Sequence, residues 1–156
     1  MHFISPSRGR LSFDDVFSDM VAYIAEAPEA RYRVIIGTDS QFGEETCFVT
    51  AVIVHREGKG ARHYSSRERA RVERLLRQRI FSETARSLGL AGRMAEKLAE
   101  NGYADMNVEI HLDVGENGQT RDLIREVVGM VVGSGFDARI KPDSYGAMTV
   151  ADKYTK

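Results

Sequence analysis

The chain has 156 residues, of which 42% are hydrophobic, and a formal net charge of −1. This length and composition predict one globular domain over residues 1–156, in which residues 1–31 form a lead-in and a first helix. No apolar run reaches the roughly 20 residues of a membrane helix, and the start has no signal-peptide core, so we expect a cytoplasmic protein. The single cysteine, Cys47, excludes an intramolecular disulfide and a cysteine-based zinc cluster.

The first half of the chain predicts a helix followed by three antiparallel strands. Residues 1–10 look irregular, and Ser12 is a candidate N-cap for a helix with apolar residues at helical spacing. Runs rich in β-branched residues, separated by short glycine-containing loops, then predict strands at about 32–38, 47–55 and 62–65. Loops this short join antiparallel strands, because a parallel pair needs a long crossover.

The second half predicts alternating helices and strands. We expect a long helix from about Ser66 to Leu88 and a second helical stretch from Ala91 to Asn101. A strand at about 107–113, a helix at 120–132, a strand at 136–140 and a last short helix from Pro142 to Tyr154 follow. The predicted fold is therefore α/β, with a mixed five-stranded sheet flanked by helices.

Two aspartates stand at the ends of apolar strands. Asp39 follows Val34, Ile35, Ile36 and Gly37, and Asp113 ends a second run of similar character. A carboxylate there is costly to desolvate unless a cation or hydrogen-bond donors satisfy it. Because hard divalent cations take oxygen ligands, the pair suggests a shared metal site. The alternative is that each aspartate caps a turn.

Glu83 is unusual because it falls within the apolar stripe of the predicted long helix. That stripe is marked by Val72, Leu76 and Ile80. A glutamate in such a position is expected to bind a cation or to be paired. We therefore predict either a third metal ligand beside the strand-end aspartates or an ion pair with Arg79 or Arg86, one turn away on either side.

Other residues offer weaker candidates. Asp143 and Asp152 lie near the C-terminus, where Asp143 could equally be the N-cap of the last helix and Asp152 an exposed acid. His111 shares a strand face with Asp113 and is a candidate for a position behind the metal ligands, although histidines on strands are commonly structural.

Eight arginines lie between Arg67 and Arg93, although the net charge is nearly neutral. Four of them, Arg67, Arg71, Arg74 and Arg77, project away from the apolar face of the predicted long helix. They are consistent with a phosphate-binding surface, and a solvated helix face is the simpler alternative.

Three motifs together resemble the YkuK-type ribonuclease-H-like family of small bacterial proteins. They are Ile36-Gly37-Thr38-Asp39-Ser40-Gln41, His111-Leu112-Asp113-Val114-Gly115, and Lys141-Pro142-Asp143-Ser144-Tyr145 with Val150-Ala151-Asp152-Lys153. The resemblance runs from about Arg33 to the C-terminus and agrees with the predicted order of helices and strands.

The resemblance implies Asp39 and Asp113 as central metal ligands, Glu83 as the helix carboxylate, and Asp152, or less securely Asp143, as the last acid. It implies hydrolysis of nucleic-acid phosphodiester bonds with two Mg²⁺ or Mn²⁺ ions. The arginines would then hold the nucleic-acid backbone. A catalytically silent module that binds nucleic acid or a partner protein is the alternative, since the fold also has inactive members. An actin-like ATPase is less consistent, because that class needs two such domains.

Overall fold

The structure is a computed structural model that describes residues 1–71 and 73–144. It contains seven strands and three α-helices within those residues. The strands are β1 (His2–Ser5), β2 (Gly9–Ser12), β3 (Tyr32–Gln41), β4 (Thr46–Arg56), β5 (Gly60–Ala70), β6 (Asn107–His111) and β7 (Asp137–Arg139). The helices are α1 (Phe13–Glu26), α2 (Leu76–Glu100) and α3 (Ile124–Gly133), and a 3-10 turn at Arg121–Leu123 precedes α3.

All seven strands belong to one mixed sheet with the order β2-β1-β5-β4-β3-β6-β7. The strands β3, β4 and β5 form the predicted antiparallel meander, and β6 and β7 continue the sheet in parallel. The β3 strand is therefore the boundary between an antiparallel half and a parallel half. The predicted α/β fold with a mixed sheet is confirmed, with two strands more than the five expected.

The first helix begins where its sequence predicts. Ser12 accepts a hydrogen bond from the backbone N–H of Asp15 at 3.0 Å, and the Asp15 carboxylate accepts one from the backbone N–H of Ser12 at 3.1 Å. This reciprocal capping box satisfies donors that the first turn of a helix leaves free. The buried side chains Val16, Phe17 and Met20 then hold α1 against the core.

The hydrophobic core lies between one face of the sheet and the helices. Alternate residues of the central strands, such as Val34, Ile36, Val52 and Val54, are fully buried in it. The helix α2 supplies Ile80, Leu90, Ala91, Met94 and Leu98. This packing fixes one side of α2 against β3, and Glu83 and Ser87 are buried on α2 as well.

Three predicted elements differ from the structure. Residues 1–10 are not irregular, because β1 and β2 form a hairpin whose first strand pairs with β5 at Ile4 and Ser65. Residues 66–70 are strand rather than helix, because β5 stays paired with β4 through Ala70. The two predicted helical stretches are one helix, α2.

The last predicted helix falls almost wholly on residues 145–156, which lie outside the described residues. Val72, predicted to lie on the long helix, is also outside them. Within the described part of the chain, no helix is both long enough and apolar enough to span a membrane.

Candidate metal centre

The strand register brings Asp39 and Asp113 to the same level of the sheet. The last parallel pair between β3 and β6 joins Gly37 to His111. Asp39 and Asp113 each lie two residues beyond that pair, on adjacent segments of the same chain. Since adjacent strands are about 4.8 Å apart, equal offsets from one register pair place the two side chains close together.

Glu83 from α2 completes a group of three carboxylates. One oxygen from each of Asp39, Glu83 and Asp113 lies within 4.8 Å of the other two. Glu83 is buried, whereas the two aspartates are half-buried. The structure therefore brings together three of the acids that the sequence singled out.

Hydroxyl groups on β3 hold α2 in the orientation that presents Glu83. The Ser40 hydroxyl donates a hydrogen bond to Glu83 Oε2 at 2.6 Å. One turn further along α2, the Ser87 hydroxyl lies 2.8 Å from the hydroxyl of Thr38, which also contacts Thr50. Since Thr38 and Ser40 lie on the same face of β3, the two contacts together fix the rotation of the helix.

The pKa of Glu83 is raised well above its ordinary value. Burial is the main cause, and the negative charges of Asp113 and Asp39 act in the same direction. The hydrogen bond from Ser40 and the charge of Arg79 act against the rise. A divalent cation would favour the ionised form and so offset the desolvation cost of this carboxylate.

The alternative of a simple arginine pair is not what the structure shows for Glu83. Arg86 instead pairs with Glu68, at 3.3 Å between Nε and Oε2. Arg79 acts on Glu83 electrostatically, but its Nε is buried without a hydrogen-bond partner among the described residues.

Lys141 is a charged neighbour of the group that the sequence analysis did not single out. Its Nζ lies 2.6 Å from Asp113 Oδ1. The contact arises because the chain after β7 continues the parallel ladder: Lys141 donates its backbone N–H to Val114 O at 2.9 Å. Gly115 permits this approach, since a Cβ there would lie 3.1 Å from that of Lys141. The sequence motif Lys141-Pro142-Asp143 contains this lysine, but the prediction used only its aspartate as a candidate ligand.

His111 is buried at the end of β6 and contacts Glu109 rather than a carboxylate of the three-acid group. Its Nε2 lies 2.8 Å from Glu109 Oε1, and Arg33 donates to the same oxygen at 3.0 Å. These contacts lower the pKa of Glu109, the hydrogen bond with His111 first, while burial opposes the shift. A role for His111 behind the metal ligands stays a prediction.

The two C-terminal acids stand apart from the group. Asp143 is exposed in the turn after β7 and is not among the three clustered carboxylates. Asp152 lies outside the described residues. Their proposed roles as the last ligand stay predictions.

The four candidate arginines are exposed, but they do not share a helix face. Arg67 is in β5, Arg71 and Arg74 lie in the connection before α2, and only Arg77 is helical. The expectation of one arginine-rich helix face is therefore wrong, because β5 extends into that region. Arg77 also pairs with Glu126 at 3.0 Å.

The donor set suits a hard divalent cation. It consists of carboxylate oxygens alone, and Mg²⁺, Mn²⁺ and Ca²⁺ prefer oxygen ligands. Three carboxylates this close together repel one another unless positive charge lies between or beside them. These residues therefore fit a metal such as Mg²⁺ or Mn²⁺.

Two comparisons with known proteins give matches that cover most of the chain. The family model described as "Ribonuclease H-like" matches residues 15–156. A protein of Bacillus subtilis (strain 168), "Uncharacterized protein YkuK", is 37% identical over 168 residues, covering 99% of this chain and 96% of that protein. No solved structure shows a significant match to the chain.

Proposed function

We propose a metal-dependent nuclease function for this chain, which belongs to the ribonuclease-H-like family. The observation that carries the proposal is the convergence of Asp39, Glu83 and Asp113 within 4.8 Å. The reaction would be hydrolysis of phosphodiester bonds in DNA or RNA. The single domain would then extend over residues 1–156.

Divalent cations such as Mg²⁺ or Mn²⁺, when bound, supply activation of the attacking water and stabilisation of the leaving oxygen. Asp39, Glu83 and Asp113 would hold them, with Asp152 as the proposed last ligand and Asp143 as its alternative. The carboxylates would also offset the charge that the cations bring into the site.

The remaining residues near the group would orient it. Ser40 fixes one oxygen of Glu83 by its hydrogen bond, which leaves the other oxygen for a cation. The phosphate backbone would be attracted by the exposed side chains of Arg67, Arg71, Arg74 and Arg77. His111, from a position behind the metal ligands, would help to orient them.

A catalytically silent nucleic-acid-binding module is the second candidate, and the Lys141 contact favours it. The ammonium group already neutralises part of the charge on Asp113. A lysine can stabilise an acidic cluster in place of a metal, and the chain would then bind nucleic acid or a partner protein without cleaving it.

Asp39→Asn tests the proposal directly. The substitution keeps the shape of the side chain but removes a negative charge from the cation site. Because even partners of metal ligands affect activity by about 10- to 100-fold, loss of a ligand should reduce cleavage by more than about 100-fold. Cleavage of single-stranded, duplex, hybrid and branched substrates would be measured with Mn²⁺ and with chelator, alongside the melting temperature.

Asp105→Asn is the matched control, since Asp105 is exposed just before β6 and lies outside the acidic group. It should cleave like the unaltered chain. Full activity of Asp39→Asn would remove Asp39 as an essential ligand. No cleavage of any substrate by the unaltered chain with Mn²⁺ would contradict the nuclease function and support the silent module.

A further inference from the structure

Phe42 is an exposed aromatic residue at the edge of the acidic group. It directly follows β3 and lies three residues after Asp39. Three residues of extended chain span at most about 11 Å, so the backbone of Phe42 lies within about that distance of the backbone of Asp39. Phe42 keeps 48% of its surface exposed. Exposed apolar side chains are common, so this exposure alone indicates nothing.

Two arginines flank the Phe42 ring. The guanidinium carbon of Arg74 lies 5.7 Å from the ring centroid, and that of Arg79 lies 5.9 Å from it. Both distances are within the range of cation–π attraction. Even with both groups in place, about half of the surface of Phe42 remains exposed.

The two arginines place positive charge beside the Phe42 ring. Among the described residues, neither Arg74 nor Arg79 forms an ion pair, in contrast to Arg77 and Arg86. Arg79 precedes Glu83 by one turn, a rise of about 6 Å along α2. Arg79 therefore connects the aromatic ring to the acidic group, and its positive charge acts to lower the pKa of Glu83.

A half-exposed aromatic residue beside two guanidinium groups that form no ion pair among the described residues matches the chemistry of a nucleotide in a single strand. An unpaired base stacks on the ring, while its phosphate is attracted to the arginines. Bases within a duplex are already stacked and paired, so they cannot lie on the ring without being pulled out of the helix.

We propose that Phe42, Arg74 and Arg79 form a stacking platform that binds an unpaired nucleotide of single-stranded nucleic acid beside the acidic group. This inference rests on the proposed function and deepens it by naming the form of the substrate. Its binding step does not depend on cleavage.

Binding in chelator, where no cleavage is expected, tests the platform. The probe is a fluorescently labelled oligothymidylate of about 20 nucleotides, longer than typical single-strand sites. Phe42→Leu keeps an apolar side chain but removes the ring. Because stacking on an aromatic ring is worth about 1–3 kcal/mol per base, affinity should fall by about 5- to 150-fold. A duplex of equal length should bind the unaltered chain more weakly and change little with Phe42→Leu.

Phe42→Trp supplies a second readout. The chain has no tryptophan, so this variant carries a single indole at the platform. It should retain affinity, and its fluorescence should be quenched as the oligothymidylate binds. Val132→Ala, which trims another exposed apolar residue on α3, is the control and should bind like the unaltered chain.

Equal binding by Phe42→Leu and the unaltered chain would overturn the platform, as would indole fluorescence of the Phe42→Trp variant that stays unchanged on binding. An equal loss of affinity for duplex would overturn the assignment to single strands. If binding depends on Phe42 but no substrate is cleaved with Mn²⁺, the platform stands and the nuclease function falls.

Discussion

Lys141 contacts Asp113 and so places a positive charge beside the acidic group. The ammonium lies 2.6 Å from one oxygen of Asp113, yet 54% of the lysine side chain is exposed. An ion pair this accessible to water contributes little to stability by itself. Its main effect is local, since it supplies positive charge to Asp113 and occupies a position that a cation would contest.

Lys141→Met should therefore change metal binding and stability in opposite directions. In chelator the variant should melt at a slightly lower temperature, because Asp113 loses a neutralising charge while the exposed ion pair contributes little to stability. With Mn²⁺ present it should gain more stability than the unaltered chain, because bound metal no longer competes with the lysine. Titration calorimetry with Mn²⁺ and thermal unfolding with and without the metal would measure both effects.

Lys59→Met is the control for this experiment, since Lys59 is exposed in the turn between β4 and β5. It should leave Mn²⁺ affinity unchanged. Weaker Mn²⁺ binding by Lys141→Met would show that the lysine assists the metal instead of competing with it.

At the scale of elements, the helices and strands that could be predicted are those whose own residues carry the signal. The N-cap at Ser12 and the apolar strand around Ile35 have local causes in capping and burial. The end of β5 does not. Residues 66–69 are polar and, with Ala70, lack a strand-specific pattern, so only pairing with β4 makes them extended.

The same distinction applies to the site. Asp39, Asp113 and Glu83 were visible because each is a carboxylate placed against apolar neighbours in the sequence. The contact of Lys141 with Asp113 depends on the parallel ladder continuing beyond β7, and the bond from Ser40 depends on the position of α2. Both are tertiary relationships with no short-range sequence signal.

Glu109 connects β6 to β3 and should make stability sensitive to acid. Its pKa is lowered from an ordinary value of 4.5, so its ionised form stabilises the fold above that pH. This contribution is lost as pH falls through the lowered pKa. Glu109→Gln should thus be less stable near neutrality, and the difference should shrink on acidification. Denaturant unfolding at a series of pH values would measure it.

Glu57→Gln, which alters an exposed glutamate between β4 and β5, serves as the control and should follow the unaltered chain across the same pH series. A stability difference for Glu109→Gln that stays constant as the pH falls would exclude the ionised Glu109 as the source of the effect.

At the scale of the whole molecule, the distribution of charge matters more than its sum. A net charge of −1 coexists with several exposed arginines on β5, on α2 and between them, including the four candidates. Replacing Arg67, Arg71, Arg74 and Arg77 with glutamine should weaken nucleic-acid binding and flatten its salt dependence, because fewer counterions are released. The melting temperature should change little, since exposed charges contribute little to folding. Binding would be measured across a salt series.

The control removes positive charge from the opposite end of the strands, with Arg31→Gln and Lys59→Gln. Arg31 precedes β3 and Lys59 lies where β4 turns into β5, far along the sheet from Asp39. The salt slope of this variant should match that of the unaltered chain. An unchanged slope in the fourfold variant would place the binding surface elsewhere.

The lengths of the strands also determine how the described sheet meets other molecules. Its long strands, β3, β4 and β5, have 10 or 11 residues each and are flanked on both sides, whereas β2 and β7 at the two margins have four and three. A margin this short offers few free backbone groups to a strand from another molecule. Fibrillar self-association through these margins is therefore disfavoured, even though the interior of the sheet is rich in β-branched residues.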